Sequence, residues 1–319
     1  MVPARDRFKG ALVGCAVGDA LGAPVEGMGA DAIRDVHGRV TDFIDARFGA
    51  GRLTDDTQMT IVLAQAILEL GRFDSEHTGF KFAGWVAASD DGVKEARGLG
   101  LACQTACRAL RDRPGEPSGV DSAGCGAAMR ASPIGLRYYH EPGALLRAAV
   151  DQALLTHTDP RAVAGSVAVA SAVAAGVTDE GDLDRAALAA ALAKAVEKVD
   201  LPTSVKIAGL ADYLDASPAE GFAYTGTGGI ATETVPAALF AFLRTPYDLE
   251  ETVVTAVNAG GDTDSIGAIA GAVSGTFNGI GAIPARWRDN VEGSVYIESV
   301  AYRLFTLTPA FKPPKRPAW

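Results

Sequence analysis

Apolar positions in this chain of 319 residues recur at helical spacing almost from its start. Phe8, Leu12, Cys15, Asp19 and Gly22 follow one another at alternating intervals of four and three, which is one face of a helix. Asp19 therefore falls on a buried stripe, where a carboxylate must either cap neighbouring backbone or support polar chemistry beside it. Met59, Leu63, Ala66, Ile67 and Leu70 form a second stripe, and Gly71 is placed to end that helix. Apolar, Ala-rich segments with the same period run over 80–88, 98–110, 143–155, 161–175, 183–199, 204–214, 231–243, 249–257, 264–277 and 293–307. Alternating strand patterns are scarce. The economical fold is all-α, a compact orthogonal bundle of many helices. Since no long linker separates two cores, residues 1–310 read as one domain. The Pro- and Gly-rich joints at 113–119 and 217–229 read as functional loops within it, and 311–319 as a proline-rich surface tail.

Composition narrows the partners. The chain is 48% hydrophobic, enough for a substantial core, and carries a net charge of −10 with a pI near 4.9. That balance argues against nucleic acid or an anionic membrane, so an anionic substrate must be held locally, by metals or backbone N–H groups. The opening residues lead into an amphipathic stretch and not a signal peptide, and no apolar run reads as a membrane span, so a cytoplasmic monomer is expected. Cys15, Cys103, Cys107 and Cys125 lack paired metal spacing and read as reduced, mostly buried thiols.

Two acidic clusters lie at predicted helix starts: Leu53-Thr54-Asp55-Asp56-Thr57 and Gly260-Gly261-Asp262-Thr263-Asp264-Ser265. Either alone is an ordinary capped helix, because Ser, Thr and Asp favour the N-cap and acids suit the first turn. Two consecutive acids at one start, an acidic pair behind a double glycine at the other, and Glu26 beside Gly18-Asp19-Ala20-Leu21-Gly22 go beyond capping. In one pocket, Glu26, Asp55, Asp56, Asp262 and Asp264 repel strongly: two like charges ~4 Å apart cost roughly 4 kcal/mol at an effective dielectric of 20. Divalent cations relieve this, and an all-oxygen donor set points to Mg²⁺, Mn²⁺ or Ca²⁺ and away from zinc or copper.

With those motifs in place, the chain resembles the ADP-ribosylglycohydrolase family over nearly its whole length. Phe8-Lys9-Gly10 through Gly22 and Glu26 is similar to the family's opening motif, Thr54-Asp55-Asp56-Thr57 to its first metal motif, and Gly260 through Ser265 to its second. The resemblance implies an all-α fold and two divalent cations, usually Mg²⁺ or Mn²⁺, beside the ribose at the scissile bond. It implies Thr54, Asp55, Asp56, Asp262, Asp264 and Ser265 as ligands, with Ser265 where many relatives have Thr. The stretch Ser122-Ala123-Gly124-Cys125-Gly126-Ala127-Ala128-Met129-Arg130 is similar to the family's substrate loop, in which the N–H groups of Gly124 and Gly126 would approach a diphosphate. Cys125 and the residues after it match the arginine-specific animal members. Gly226-Thr227-Gly228-Gly229-Ile230-Ala231 looks more like the serine-specific ones, with Gly228 and Gly229 beside the substrate. His157 sits where the family has a Thr-His pair near the phosphates.

The implied activity is hydrolysis of the bond between ADP-ribose and an arginine side chain, with Asp55, Asp56 or Glu26 accepting a proton from water. Serine-linked or O-acetyl ADP-ribose is the alternative substrate, in a modified protein or a small molecule. Two further readings are a non-catalytic ADP-ribose reader and a phosphohydrolase of small nucleotides; the latter gives no reason for the two glycine loops.

Overall fold

Glycines at positions 10, 14, 18 and 22 recur every fourth residue, so in a helix they form one ridge without side chains. The structure, a computed structural model, describes residues 2–46, 48–92 and 95–308; the 311–319 tail lies outside them. Among the described residues there are sixteen α-helices and no strand. In chain order they are α1 (Ala4–Gly22), α2 (Ala30–His37), α3 (Asp55–Leu70), α4 (Ser75–Asp90), α5 (Leu101–Asp112), α6 (Ser132–Tyr138), α7 (Pro142–Leu154), α8 (Pro160–Val177), α9 (Arg185–Val196), α10 (Leu201–Ala208), α11 (Pro218–Thr225), α12 (Ala231–Arg244), α13 (Leu249–Val257), α14 (Thr263–Asn278), α15 (Ala285–Arg288) and α16 (Ser294–Leu307). The all-α expectation holds.

The glycine ridge decides how the two central helices meet. A Cβ on Gly10, Gly14, Gly18 or Gly22 would lie 2.1, 2.2, 1.9 and 2.2 Å from the carbonyl oxygens of Gly275, Gly271, Gly267 and Thr263. The pairing descends one helix as it climbs the other, so α1 and α14 run antiparallel, backbone against backbone. The C-terminal end of α1, with Asp19, is thereby pinned beside the acidic start of α14. At the opposite end the buried Arg7 guanidinium donates to Gly176 O (2.6 Å), Phe277 O (3.1 Å) and Asp179 O (2.8 Å), satisfying the last carbonyls of α8 and α14.

Two expectations are corrected. The joint at 217–229 is largely helical: α11 occupies Pro218–Thr225, started by a capping box in which Ser217 and Glu220 bond reciprocally. Gly221 lies within that helix, and Gly226, Gly228 and Gly229 follow it in the loop. Two segments, Ala4–Val25 and Pro160–Val177, do reach the length and mean hydropathy of a membrane span, at 1.2 and 1.4. However, 83% and 78% of those windows are buried inside the fold, because both are helices of the core. The loop expected at 113–119 is non-helical, and all four cysteines are free and buried.

Candidate metal centre

Each acidic motif straddles a helix start. Thr54 is the N-cap of α3, its Oγ1 accepting from Asp56 N at 3.4 Å, which leaves Asp55 and Asp56 in the first turn. Asp262 precedes the first turn of α14 and Asp264 lies within it. At this second start the capping explanation fails, since the Asp262 side chain accepts no capping bond from the backbone of its own helix. Its Oδ2 turns instead to Thr234 Oγ1 (2.9 Å) and the Cys125 thiol (3.2 Å). The double glycine allows this turn: Gly260 and Gly261 both adopt left-handed φ (78° and 74°), and a Cβ on Gly261 would lie 2.1 Å from Thr227 O.

Asp19 unites the two possibilities left open for it. Fully buried, it accepts from Thr54 N (3.1 and 3.0 Å), Thr54 Oγ1 (2.7 Å), Thr57 N (3.1 Å) and Thr57 Oγ1 (2.5 Å). It thus holds the first acidic motif in place from α1.

One cavity of about 330 Å³ collects Glu26, Asp55, Asp56, Asp262, Asp264, Ser265, Ser122, Gly124, Cys125, Gly126, His157 and Gly229. Thr54 and Gly228 are not on its wall. Thr54 is buried behind it on Asp19, and the Gly228 N–H donates to Glu233 Oε2 at 2.8 Å. Oxygens of Glu26, Asp262 and Asp264 lie within 4.8 Å of one another. Burial, then the charge of Asp19, pushes Asp55 up to about 7. Burial followed by the charge of Asp264 holds Asp56 well above the usual carboxylate range, and burial followed by Asp262 does the same for Asp264. The two motifs therefore feel each other's charge. Asp56 Oδ1 is buried without a hydrogen-bond partner, an arrangement that costs ~1–3 kcal/mol unless something positive faces it. This orphaned oxygen, in a set of hard oxygen donors, fits a divalent cation.

The opposite wall is built from the two glycine loops. Cys125 N donates to Gly229 O (3.0 Å) and Ala231 N to Ala123 O (2.8 Å), clipping the loops together. Gly126 has no room for a side chain, since its Cβ would lie 2.6 Å from Cys103 Sγ. The Gly124 N–H, expected to face an anion, donates instead to Ser122 Oγ at 3.2 Å. His157 is 1% exposed, and burial, then the charge of Arg130, lowers its pKa to about 3, so it is neutral. Asp159, two residues on, N-caps α8.

The model of the ADP-ribosylglycohydrolase family matches residues 2–312. The chain belongs to that family. The chain is 28% identical to the ADP-ribosylarginine hydrolase Tri1 of Pseudomonas putida, over 96% of the chain and 80% of that protein. It is 29% identical to ADP-ribosylhydrolase ARH3 of Danio rerio, over 94% of the chain and 90% of that protein. A solved ADP-ribosylglycohydrolase-related protein complex superposes with a TM-score of 0.78 at 30% identity, covering 96% of this chain and 99% of that one.

Other residues of the site lie outside the motifs. Gly98, Gly100, Leu101, Ala102 and Cys103 also line the cavity, as does Met129 of the substrate-loop stretch. Arg97 O accepts from Asp55 N (2.7 Å) and the Gly100 N–H approaches Asp55 Oδ2 (3.4 Å), so the loop before α5 closes over the first motif. The Gly98-Leu99-Gly100 punctuation was available as a signal, and Gly98 has a φ of 74°. Thr234, which positions Asp262, lies inside an apolar helix and gave none.

Proposed function

We propose that the protein is a metal-dependent ADP-ribosylhydrolase that removes ADP-ribose from arginine side chains by cleaving the N-glycosidic bond. The observation that carries the reading is the convergence of both acidic helix starts with Glu26 on one cavity, with a buried Asp56 oxygen lacking any partner. Asp55, Asp56, Asp262, Asp264 and Ser265 would hold two divalent cations, Mg²⁺ or Mn²⁺, which when bound lower the pKa of water and grip ribose hydroxyls; Thr54, expected among the ligands, instead bonds Asp19 behind the wall. Asp55 and Asp56, nearly fully buried, are the carboxylates best screened from solvent, whereas Glu26 is exposed at the rim, within reach of a departing group. In this assignment Asp55 or Asp56 takes the proton of the attacking water as positive charge grows on the anomeric carbon. Glu26 then serves a leaving group that needs a proton.

The arginine linkage is supported by the likeness to the ADP-ribosylarginine hydrolase Tri1 and by Cys125 in the first glycine loop. The serine or O-acetyl alternative is supported by the second loop, Gly226 to Ala231. A guanidinium leaves neutral with the proton it already carries, whereas a serine alkoxide needs an acid. Arginine-linked and serine-linked ADP-ribosyl peptides, incubated with Mg²⁺ or Mn²⁺ and with a chelator, test both. Metal-dependent release from the arginine peptide is expected, and Glu26→Gln should slow it less than tenfold. A loss of 10²-fold or more in Glu26→Gln, together with turnover of the serine peptide, would shift the assignment to serine. Binding without release from either peptide would leave a reader.

A further inference from the structure

Behind the glycine wall lies a charge that the hydrolysis scheme does not use. Arg130 is 0% exposed, and its guanidinium forms no ion pair among the described residues; Asp55 acts on it only through space. Its guanidinium is held by neutral acceptors: Gln152 Oε1 (2.9 Å), Gln152 O (3.0 Å), Gly126 O (2.9 Å) and Thr156 Oγ1 (2.7 Å), with the Phe82 ring 4.8 Å away. A buried cation without a counter-charge is costly, and the costs of such groups are tolerated where they organise a site.

Two of its bonds lead to the cavity. The first reaches Gly126 O, drawing that carbonyl toward the buried guanidinium and keeping an acceptor oxygen off the cavity wall. The second reaches Thr156 Oγ1, which lies 2.8 Å from His157 Nδ1. Because Arg130 donates to that oxygen, the threonine's own proton is free for an acceptor. Imidazole nitrogen is a far better acceptor than the nearby Cys103 sulfur. Thr156 O–H therefore donates to Nδ1 and leaves the ring proton on Nε2, the edge that faces Gly124 and Gly126. A Cβ on either glycine would come within 3.5 and 3.3 Å of that nitrogen.

We propose that Arg130 is a positioning residue: through Thr156 it fixes His157 as the Nε2–H tautomer, and through Gly126 it turns the glycine loop, so that this wall offers donors and positive potential to the anionic part of the ligand. The nature of that anion rests on the ADP-ribose reading; the tautomer does not.

The test uses the full chain. Imidazole ¹⁵N NMR of the protein without ligand reads the tautomer directly, and calorimetry with ADP-ribose and Mg²⁺ reads its consequence. His157 should carry its proton on Nε2 in the wild type. Thr156→Val, which is nearly isosteric and leaves Arg130 its Gln152 and Gly126 bonds, should abolish the single tautomer. It should also weaken ADP-ribose about tenfold, the loss of one well-aligned donor to a charged group, with Mg²⁺ affinity unchanged. Arg130→Met should weaken ADP-ribose further, but it risks the fold, so Thr156→Val decides. A wild-type proton on Nδ1, or a Thr156→Val protein with unchanged tautomer and ADP-ribose affinity, overturns the proposal. Should no ADP-ribosyl peptide be hydrolysed while the tautomer responds as expected, the proposed activity fails and this assignment stands.

Discussion

The two walls of the cavity are electrostatic opposites. On one, Glu26, Asp55, Asp56, Asp262 and Asp264 share a space with too little positive charge to match them. On the other, Arg130 is buried behind neutral loops with no carboxylate bonded to it, and feels the acidic wall only through space, by way of Asp55. Each wall is unbalanced alone, and both become reasonable around a ligand that is cation-bridged at one end and anionic at the other. The fold tolerates this because the imbalance sits at helix starts and loop clips, while the glycine contact of α1 and α14 pins the acidic elements together and the clip of Cys125 N to Gly229 O joins the two loops. Polarity across a single cavity, more than any one residue, is what the architecture maintains.

Neutralising one acid on the first wall should separate function from stability most sharply. Asp264→Asn keeps the shape but removes a charge that burial and Asp262 already disfavour. Activity should fall by about 10²-fold or more, since a cation loses a ligand and the transition state its support. The metal-free protein should instead melt higher, because a repulsive pair disappears. Rates under saturating Mn²⁺ and melting curves with a chelator check both signs. A metal-free Asp264→Asn protein that melts lower than wild type would mean that the acidic wall is held by bonds and not strained by charge.

Proton uptake gives a second, smaller handle on the same wall. Burial lifts Asp19 to about 6, and burial with Asp19 lifts Asp55 to about 7. The unfolded chain releases these protons near pH 4, so between about 4 and 7 the folded state binds more protons than the unfolded one. Stability of the metal-free protein should therefore decline as pH rises through that window, by on the order of a few kcal/mol, with Asp56 and Asp264, which burial also raises, adding to the decline. Added Mg²⁺ or Mn²⁺ should flatten the decline, because cations displace the same protons. Chemical denaturation at several pH values, with and without chelator, measures the slope. A slope that cations do not change would detach the raised carboxylates from metal binding.

How much of this contrast could be read in the sequence differs between the walls. The acidic one was legible because its chemistry sits in short contiguous motifs at helix starts, where Thr54 and Asp262 take the cap positions that their residue types favour. The helical class was legible too, since period alone carries it. What brings the motifs together was not: the fourfold spacing of Gly10, Gly14, Gly18 and Gly22 marks a ridge without side chains, but only the partner carbonyls on α14 reveal what packs on it. The loop over Asp55 was misread as the beginning of a helix, because Gly98 and Gly100 are punctuation whose meaning depends on φ. The second wall was least legible. Arg130 stood within a recognised motif, yet its role depends on Gln152 and Thr156, which are distant in sequence and unremarkable in type.

Cys125 lies on the seam between the walls and should show the smallest effect of all. Its backbone belongs to the glycine clip, while its Sγ lies 3.2 Å from Asp262 Oδ2 and 3.4 Å from Ser265 Oγ on the acidic side. Burial, reinforced by the charge of Asp262, holds the thiol pKa well above its ordinary value, so the group remains a neutral donor. A serine in its place keeps a donor at a somewhat shorter reach, and Asp262 Oδ2 retains Thr234 in any case. Cys125→Ser should therefore change metal affinity and turnover by no more than about threefold, and thiol reagents should modify the wild type slowly, since the thiolate is the reactive form. A 10²-fold fall in metal affinity would instead make the sulfur a ligand. Cys125 would then belong wholly to the acidic wall, and soft cations such as Zn²⁺ or Cd²⁺ would bind more tightly than Mg²⁺.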